Sequence, residues 1–255
     1  MIRNTFSILN GIGEKLERKL WGSGILTWDD FIDCSDITCI NPHKKVLFDT
    51  SLSSARDALD NADAGFFACT VKRRDHWRLF DIFKEESACL DIETNGLMPG
   101  SGGVVTVVGI YDGFDYKCFV RHENLTAEDI MEEISRYKYL ITFYGAGFDI
   151  PYLLRAMPGL KFDIPHFDIC FGTRRLGFRG GLKRLESELG IARDETVKDM
   201  DGYDAVKLWE YAQKGSSDSL ELLKLYNKED TVNLSAIAEI VYRRLRLQTG
   251  IEEYL

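Results

Sequence analysis

The stretch Ser87–Gly96 limits what this chain can become more than any other. It reads SACLDIETNG. The apolar run Ala88-Cys89-Leu90 leads into Asp91, Ile92 and Glu93, and Thr94-Asn95-Gly96 is a turn signal. Side chains alternate across a strand, so Asp91 and Glu93 share one face while Leu90 and Ile92 share the other. Two neighbouring carboxylates at the end of a buried strand repel each other and lose hydration. That is costly unless a positive charge lies between them. A hard divalent cation such as Mg²⁺ or Mn²⁺ meets the need, because it prefers oxygen ligands. In isolation an Asp-x-Glu is more often a solvated strand end before a turn. The rest of the chain shifts that balance.

A chain of 255 residues, 45% hydrophobic and 29% charged, buries a proper core as one large domain or one domain with a small appendage. No apolar stretch approaches a membrane span, and the N-terminus lacks the apolar core of a secretory signal. A cytoplasmic location is therefore expected. The six cysteines are scattered and form no Cys-x-x-Cys pair, so they read as small apolar residues rather than a zinc site. The net charge of −9 argues against a protein that coats nucleic acid through a broad basic surface. It is compatible with an enzyme that grips nucleic acid locally, and a metal-binding carboxylate cluster accounts for part of the negative charge.

Residues 1–85 read as a helical N-terminal region. Glu14–Trp21 has helical spacing, Gly22-Ser23-Gly24 breaks it, and Thr27 caps a second helix whose first turn holds Asp29 and Asp30. The Gly11-Ile12-Gly13 lead-in resembles the helix-hairpin-helix motif, whose free backbone amides can hold a phosphate. Lys15, Arg18 and Lys19 supply positive charge nearby. A small helical cap packed on the main domain is an equal alternative. Ser53–Ala62 and Asp75–Glu85 also have helical spacing, Phe66–Val71 is ambiguous, and Lys72-Arg73-Arg74 reads as a solvated turn.

Residues 86–255 read as the main domain. Val104–Tyr111 and Tyr116–Val120 flank a Gly-containing turn and predict an antiparallel hairpin. Thr126–Tyr137 reads as a capped helix and Tyr139–Tyr144 as another strand, giving a mixed sheet with helices against it. In YGAGFDIPYLL, Gly145 and Gly147 break the chain before Asp149 opens a helix with Pro151 in its first turn. Helix capping alone would explain Asp149. GTRRLGFRGG, followed by Lys183 and Arg184, is the densest basic patch, with Phe171 and Phe178 interleaved. A solvated helix surface is the plainer account of any one of those arginines. The last helix is predicted over Ser217–Arg246, with Leu222, Leu234, Ile237, Val241 and Leu245 in its apolar stripe. Tyr226 and Asp230 fall on the same stripe, and an acid there is rare unless paired or metal-bound.

In order, the set is Asp91-x-Glu93 on a strand, Phe148-Asp149-x-Pro151 at a helix start, and Tyr226-x-x-x-Asp230 on a C-terminal helix. It resembles the DEDD superfamily of 3′–5′ exonucleases, in the subgroup whose last motif carries tyrosine. HFDICFGTRRLGFRGGLKRLESELGI is most similar to YprB-type ribonuclease H-like domains, and also to the proofreading domain of family B polymerases. The latter usually carry Asn where this chain has Tyr144. The resemblance spans about residues 87 to 245. It implies an α/β fold: a ribonuclease H-like mixed five-stranded sheet flanked by helices, preceded here by the small helical region.

The resemblance also implies two divalent ions, Mg²⁺ or Mn²⁺, held by Asp91, Glu93, Asp149 and Asp230. Asp91 would touch both. Glu93 and Asp230 would hold the ion on the nucleophile side, and Asp149 the other through water. Tyr226 would orient the attacking water, and Asp168 would support the site from behind. Thr94, Asn95, Phe148, Arg174, Arg175 and Lys183 are the candidate substrate contacts. The expected partner is DNA or RNA, entering as a single-stranded 3′ end, and the expected products are nucleoside 5′-monophosphates. A structure-selective endonuclease on the same site, an inactive nucleic-acid-binding module and a structural domain are the alternatives.

Overall fold

The computed structural model describes residues Met1–Leu255. The N-terminal region is helical: α1 (Glu14–Gly22), α2 (Trp28–Asp33), α3 (Pro42–Asp60) and α4 (Ala64–Thr70), then a 3-10 segment Arg73–Leu79 that runs into α5 (Phe80–Phe83). Thr27 caps α2 with a reciprocal capping box through Asp30. α3 begins well before the expected Ser53, because Asn41 caps it and Pro42 fits its first turn. The expected single helix over Asp75–Glu85 is instead broken into a 3-10 segment, one α-helical turn and a second 3-10 turn, Lys84–Glu86.

The sheet follows. Its strands are β1 (Ser87–Thr94), β2 (Val105–Tyr111), β3 (Tyr116–Val120), then β4 (Tyr139–Thr142) after α6 (Ala127–Ile134), and β5 (His166–Asp168) after α7 (Asp149–Ala156). The remaining helices are α8 (Ile169–Arg175), α9 (Leu182–Leu189), α10 (Gly202–Ala212) and α11 (Ser217–Thr249). The spatial order is β3-β2-β1-β4-β5. The β1–β2–β3 pairings are antiparallel, as the hairpin pattern predicts, and the β1–β4 and β4–β5 pairings are parallel. The expected mixed five-stranded ribonuclease H-like sheet is the one found. α10 carries no expectation from the sequence; Asp201 caps it, again with a capping box.

The alternation along β1 sorts the core. Leu90 and Ile92 join Val108, Ile110 and Leu140 in a cluster closed by Ile130 and Ile134 of α6 and Tyr152 and Leu153 of α7. The opposite sheet face is covered by α11, whose Leu234, Ile237, Val241 and Leu245 belong to the largest apolar cluster. That cluster continues without a break into Phe6, Trp21, Trp28 and Phe31, so the N-terminal helices share a core with the sheet. A buried ion pair, Arg78 to Glu17 at 3.0 Å, fastens the same seam. Arg18 adds to it by donating to the carbonyls of Thr249 and Gln248 at the end of α11, where a cation meets the negative helix terminus. No helix is long and apolar enough to cross a membrane.

Gly109 of β2 sits directly opposite Asp91 in the antiparallel register. A Cβ there would overlap Asn227 Oδ1 and Thr231 Oγ1 of α11. The glycine therefore sets how closely α11 approaches the sheet, and α11 brings Tyr226 and Asp230 to β1.

Candidate active site

Asp91 and Glu93 share one face of β1, and α11 packs against that face. Carboxylate oxygens of Asp91, Glu93 and Asp230 all lie within 4.8 Å of one another. Asp149 reaches the same strand from the start of α7. Its Oδ1 accepts from the backbone N–H of Ile92, the residue between the two β1 acids, at 3.2 Å. Tyr226 is buried one helical turn before Asp230. The five residues of the motif set thus converge, three carboxylates as one cluster and Asp149 beside it.

Burial raises the proton affinity of all four acids. Asp91 is pushed well above the usual carboxylate range by desolvation, then by the charges of Asp230, Asp149 and Glu93. Glu93 is pushed up by desolvation, then by Asp230. Desolvation raises Asp149 to about 7, against the pull of its own N–H and that of Ile92. Asp230 is raised by burial while Arg193 opposes the shift. The same carboxylates, after desolvation, push the Tyr226 phenol far up, so its hydroxyl stays protonated.

The donor set is all oxygen, and Glu93 Oε1 is buried without a hydrogen-bond partner. Carboxylates crowded in this way, with an unused buried acceptor, fit a hard divalent cation.

Two supporting contacts carried no clear sequence signal. Asn227 is fully buried; its Nδ2 donates to Asp91 Oδ2 at 2.9 Å, and its Oδ1 accepts from the Tyr116 hydroxyl at 2.8 Å. An amide fixed on one side by Tyr116 therefore aims Asp91. Its place one residue after Tyr226 on the inward stripe was the only available hint. Arg193 lies in an irregular stretch between α9 and α10 with no periodicity to place it. Its Nη2 donates to Asp230 Oδ1 and, at 3.0 Å, to Glu186 Oε1. Its side chain is 5% exposed, and Nη1 is buried with no partner.

Asp168 braces the loop before Asp149. Oδ1 accepts from the N–H groups of Tyr144 and Cys170, and Oδ2 from Ala146. The brace holds Tyr144 in the left-handed region at φ 65°, a strained conformation for a bulky residue. Gly147 lies against the Tyr144 ring, where a Cβ would clash.

The candidate substrate contacts separate into two groups. Lys183 lies 5.1 Å over the Tyr226 ring, with its ammonium buried and unpartnered. Desolvation, then the nearby Arg193, lowers its pKa. Phe148 is exposed ahead of α7, against Tyr152. Arg174 is exposed and stacks on Tyr144 and Phe171. The others are committed inside the fold. Asn95 closes the β1–β2 loop through Val104 N and Gly102 O, and Thr94 Oγ1 accepts from Gly96 N. Arg175 binds Glu14, Asp75 and the Arg74 carbonyl, so it ties the N-terminal region to α8.

No curated protein matches the chain. Among solved structures, Brucella melitensis NrnC is 22% identical with a TM-score of 0.49, over 69% of this chain and 81% of that one. The Aedes aegypti Nibbler EXO domain is 12% identical with a TM-score of 0.46, over 68% of this chain and 85% of that one. A family model described as the RNase_H superfamily matches residues 88–242. That span runs from β1 into α11, contains all four acids and covers more than half of the sequence: the chain belongs to the RNase_H superfamily.

Proposed function

We propose that this protein is a metal-dependent 3′–5′ exonuclease of the DEDD type, in the tyrosine-bearing subgroup and nearest to the YprB-type domains. It hydrolyses phosphodiesters of DNA or RNA at a single-stranded 3′ end and releases nucleoside 5′-monophosphates. The observation that carries this reading is the gathering of Asp91, Glu93 and Asp230 oxygens within 4.8 Å at the end of a buried strand. The unpartnered Glu93 Oε1 supports it.

Asp91, Glu93, Asp149 and Asp230 would hold two divalent cations, Mg²⁺ or Mn²⁺. Such ions lower the pKa of water and stabilise charge on the attacking and leaving oxygens of an in-line displacement. Asn227 fixes the rotamer of Asp91, so that carboxylate meets its ligand preorganised. Tyr226 keeps its proton among the carboxylates, so it acts by hydrogen bonding and positions the attacking water without serving as its base. Lys183, above the Tyr226 ring with an unused ammonium, is placed to meet a phosphate oxygen. Residues 86–255 contain every group in this scheme, and residues 1–85 buttress α11 and β5 from behind.

The test is a time course on 5′-labelled single-stranded DNA and RNA with Mg²⁺, Mn²⁺ or chelator. A metal-dependent ladder that shortens from the 3′ end is expected. Internal cuts would replace this reading with an endonuclease. Binding without cleavage in any metal would leave only a binding module.

A further inference from the structure

A groove of about 1320 Å³ opens between α7, α8, the β5 edge and the 3-10 segment of the N-terminal region; it reaches Ile150, the residue after Asp149, while none of the four acids lines it. It exceeds the ~300–1,000 Å³ of a pocket that holds one small ligand. Ala146 and Ile150, close neighbours of Asp149 in the chain, line one end, and Lys161 and Phe162 line another part.

The charge balance of this groove is opposite to that of the chain. Arg73, Arg74, Lys161, Arg174 and Arg175 line it, against Glu14, Asp163 and Asp168. Glu14 is taken by Arg175, and Asp168 by three backbone N–H groups. Arg74 and Arg175 share Asp75. Arg73, Lys161 and Arg174 carry no carboxylate partner, which leaves three free cations facing the lone Asp163. Arg174 lies 5.4 Å from the ring of Phe171, both of them lining the groove, and 5.6 Å from the ring of Tyr144, which stands just outside the lining, 6.1 Å from Phe171. Both rings are open to solvent, 43% exposed for Tyr144 and 44% for Phe171. Tyr144 holds this position with a left-handed backbone, its N–H donating to Asp168. An exposed aromatic held in a strained conformation is better explained by a ligand than by packing.

We propose that this groove is the track for the single-stranded nucleic acid whose end enters the carboxylate cluster. A base stacks on the Tyr144–Phe171–Arg174 platform, and Arg73 and Lys161 take phosphates further along. Every base offers a π-face, so the platform binds without sequence preference. This inference rests on the nuclease reading and adds the path of the strand.

The experiment is fluorescence anisotropy of labelled oligothymidylate and oligouridylate, two to twelve nucleotides long, with chelator present so that no turnover is required. Affinity is expected to rise at least tenfold with length. The charge-reversal pair R73E/K161E, on exposed side chains, should weaken twelve-nucleotide binding at least tenfold. It should also flatten the slope of log affinity against log salt by about 1.4, at ~0.7 per lost phosphate contact. Tyr144→Ala should weaken binding with little change in that slope. Wild-type affinity in R73E/K161E, from an enzyme that still shortens 3′ ends, would overturn the track and spare the nuclease. Binding with no length dependence would also overturn it. Absence of both binding and cleavage would overturn both, and peptide capture with no nucleic-acid affinity would reassign the groove to a protein partner.

Discussion

Arg193 donates from one nitrogen, Nη2, to both Asp230 on α11 and Glu186 on α9. One guanidinium thereby fixes a cluster acid and compensates charge inside a group of carboxylates that burial already disfavours. Arg193→Gln leaves Glu186 and Asp230 facing each other without that compensation. Breaking such a buried pair costs about 3–5 kcal/mol. We expect urea unfolding in chelator to show a loss of that order, and a smaller loss with Mg²⁺, because an added cation then satisfies Asp230. Equal losses in both conditions would show that Arg193 and the cation do not share Asp230.

Asp91→Asn and Asp230→Asn keep shape but remove charge. Each should lower hydrolysis by more than about 1,000-fold, ~4 kcal/mol of transition-state stabilisation, with an unchanged circular dichroism spectrum. Tyr226→Phe removes only a hydroxyl, and Asn227→Ala only the group that aims Asp91. Both should cost about 10–100-fold in rate. Full turnover in either Asp variant would move the chemistry elsewhere.

Gly109→Ala places a methyl where Asn227 and Thr231 already sit. Overpacking of this kind costs roughly 1–3 kcal/mol. Because α11 must withdraw from β2, the variant should lose both thermal stability and activity. Lost stability with wild-type kcat would mean that the spacing of α11 is not what sets the cluster geometry.

Acid should destabilise the fold through His166. Burial pushes its pKa from the usual 6.5 down to about 3, and it also lowers that of the adjoining His76. His166 Nε2 lies 2.7 Å from Thr142 Oγ1, and its backbone N–H donates to His76 Nδ1. The folded protein keeps His166 neutral, whereas the unfolded chain takes up a proton below about 6.5. The contribution is complete above 6.5 and is lost as pH falls toward 3, at about 1.4 kcal/mol per pH unit. The raised carboxylates act in the opposite sense and cancel when wild type is compared with His166→Gln. Urea midpoints between pH 6.5 and 4.5 should fall more steeply for wild type, and parallel curves would refute the argument.

The strand and helix periods were legible in the sequence because they are local. Alternation placed Asp91 and Glu93 on the face away from Leu90 and Ile92, and the four-residue step placed Tyr226 and Asp230 together on α11. The hairpin between β2 and β3 followed from a glycine-containing turn between two apolar runs. Where no period dominated, the reading failed or stayed silent. Asp75–Glu85 is apolar enough for a helix but packs as three short pieces, and α10 was not anticipated.

Chain order and residue type by themselves determined on which elements the acids ride; that they share one site was what the family resemblance implied. Tertiary structure decided what surrounds them. Asn227 lies 136 positions from Asp91, and Arg193 lies 37 from Asp230. Asp168 supports a loop more than 20 residues before it, and Gly109 matters only because a helix far along the chain packs over it. Pairings at such separations leave no periodic trace, since each is fixed by the approach of two surfaces rather than by the local geometry of one.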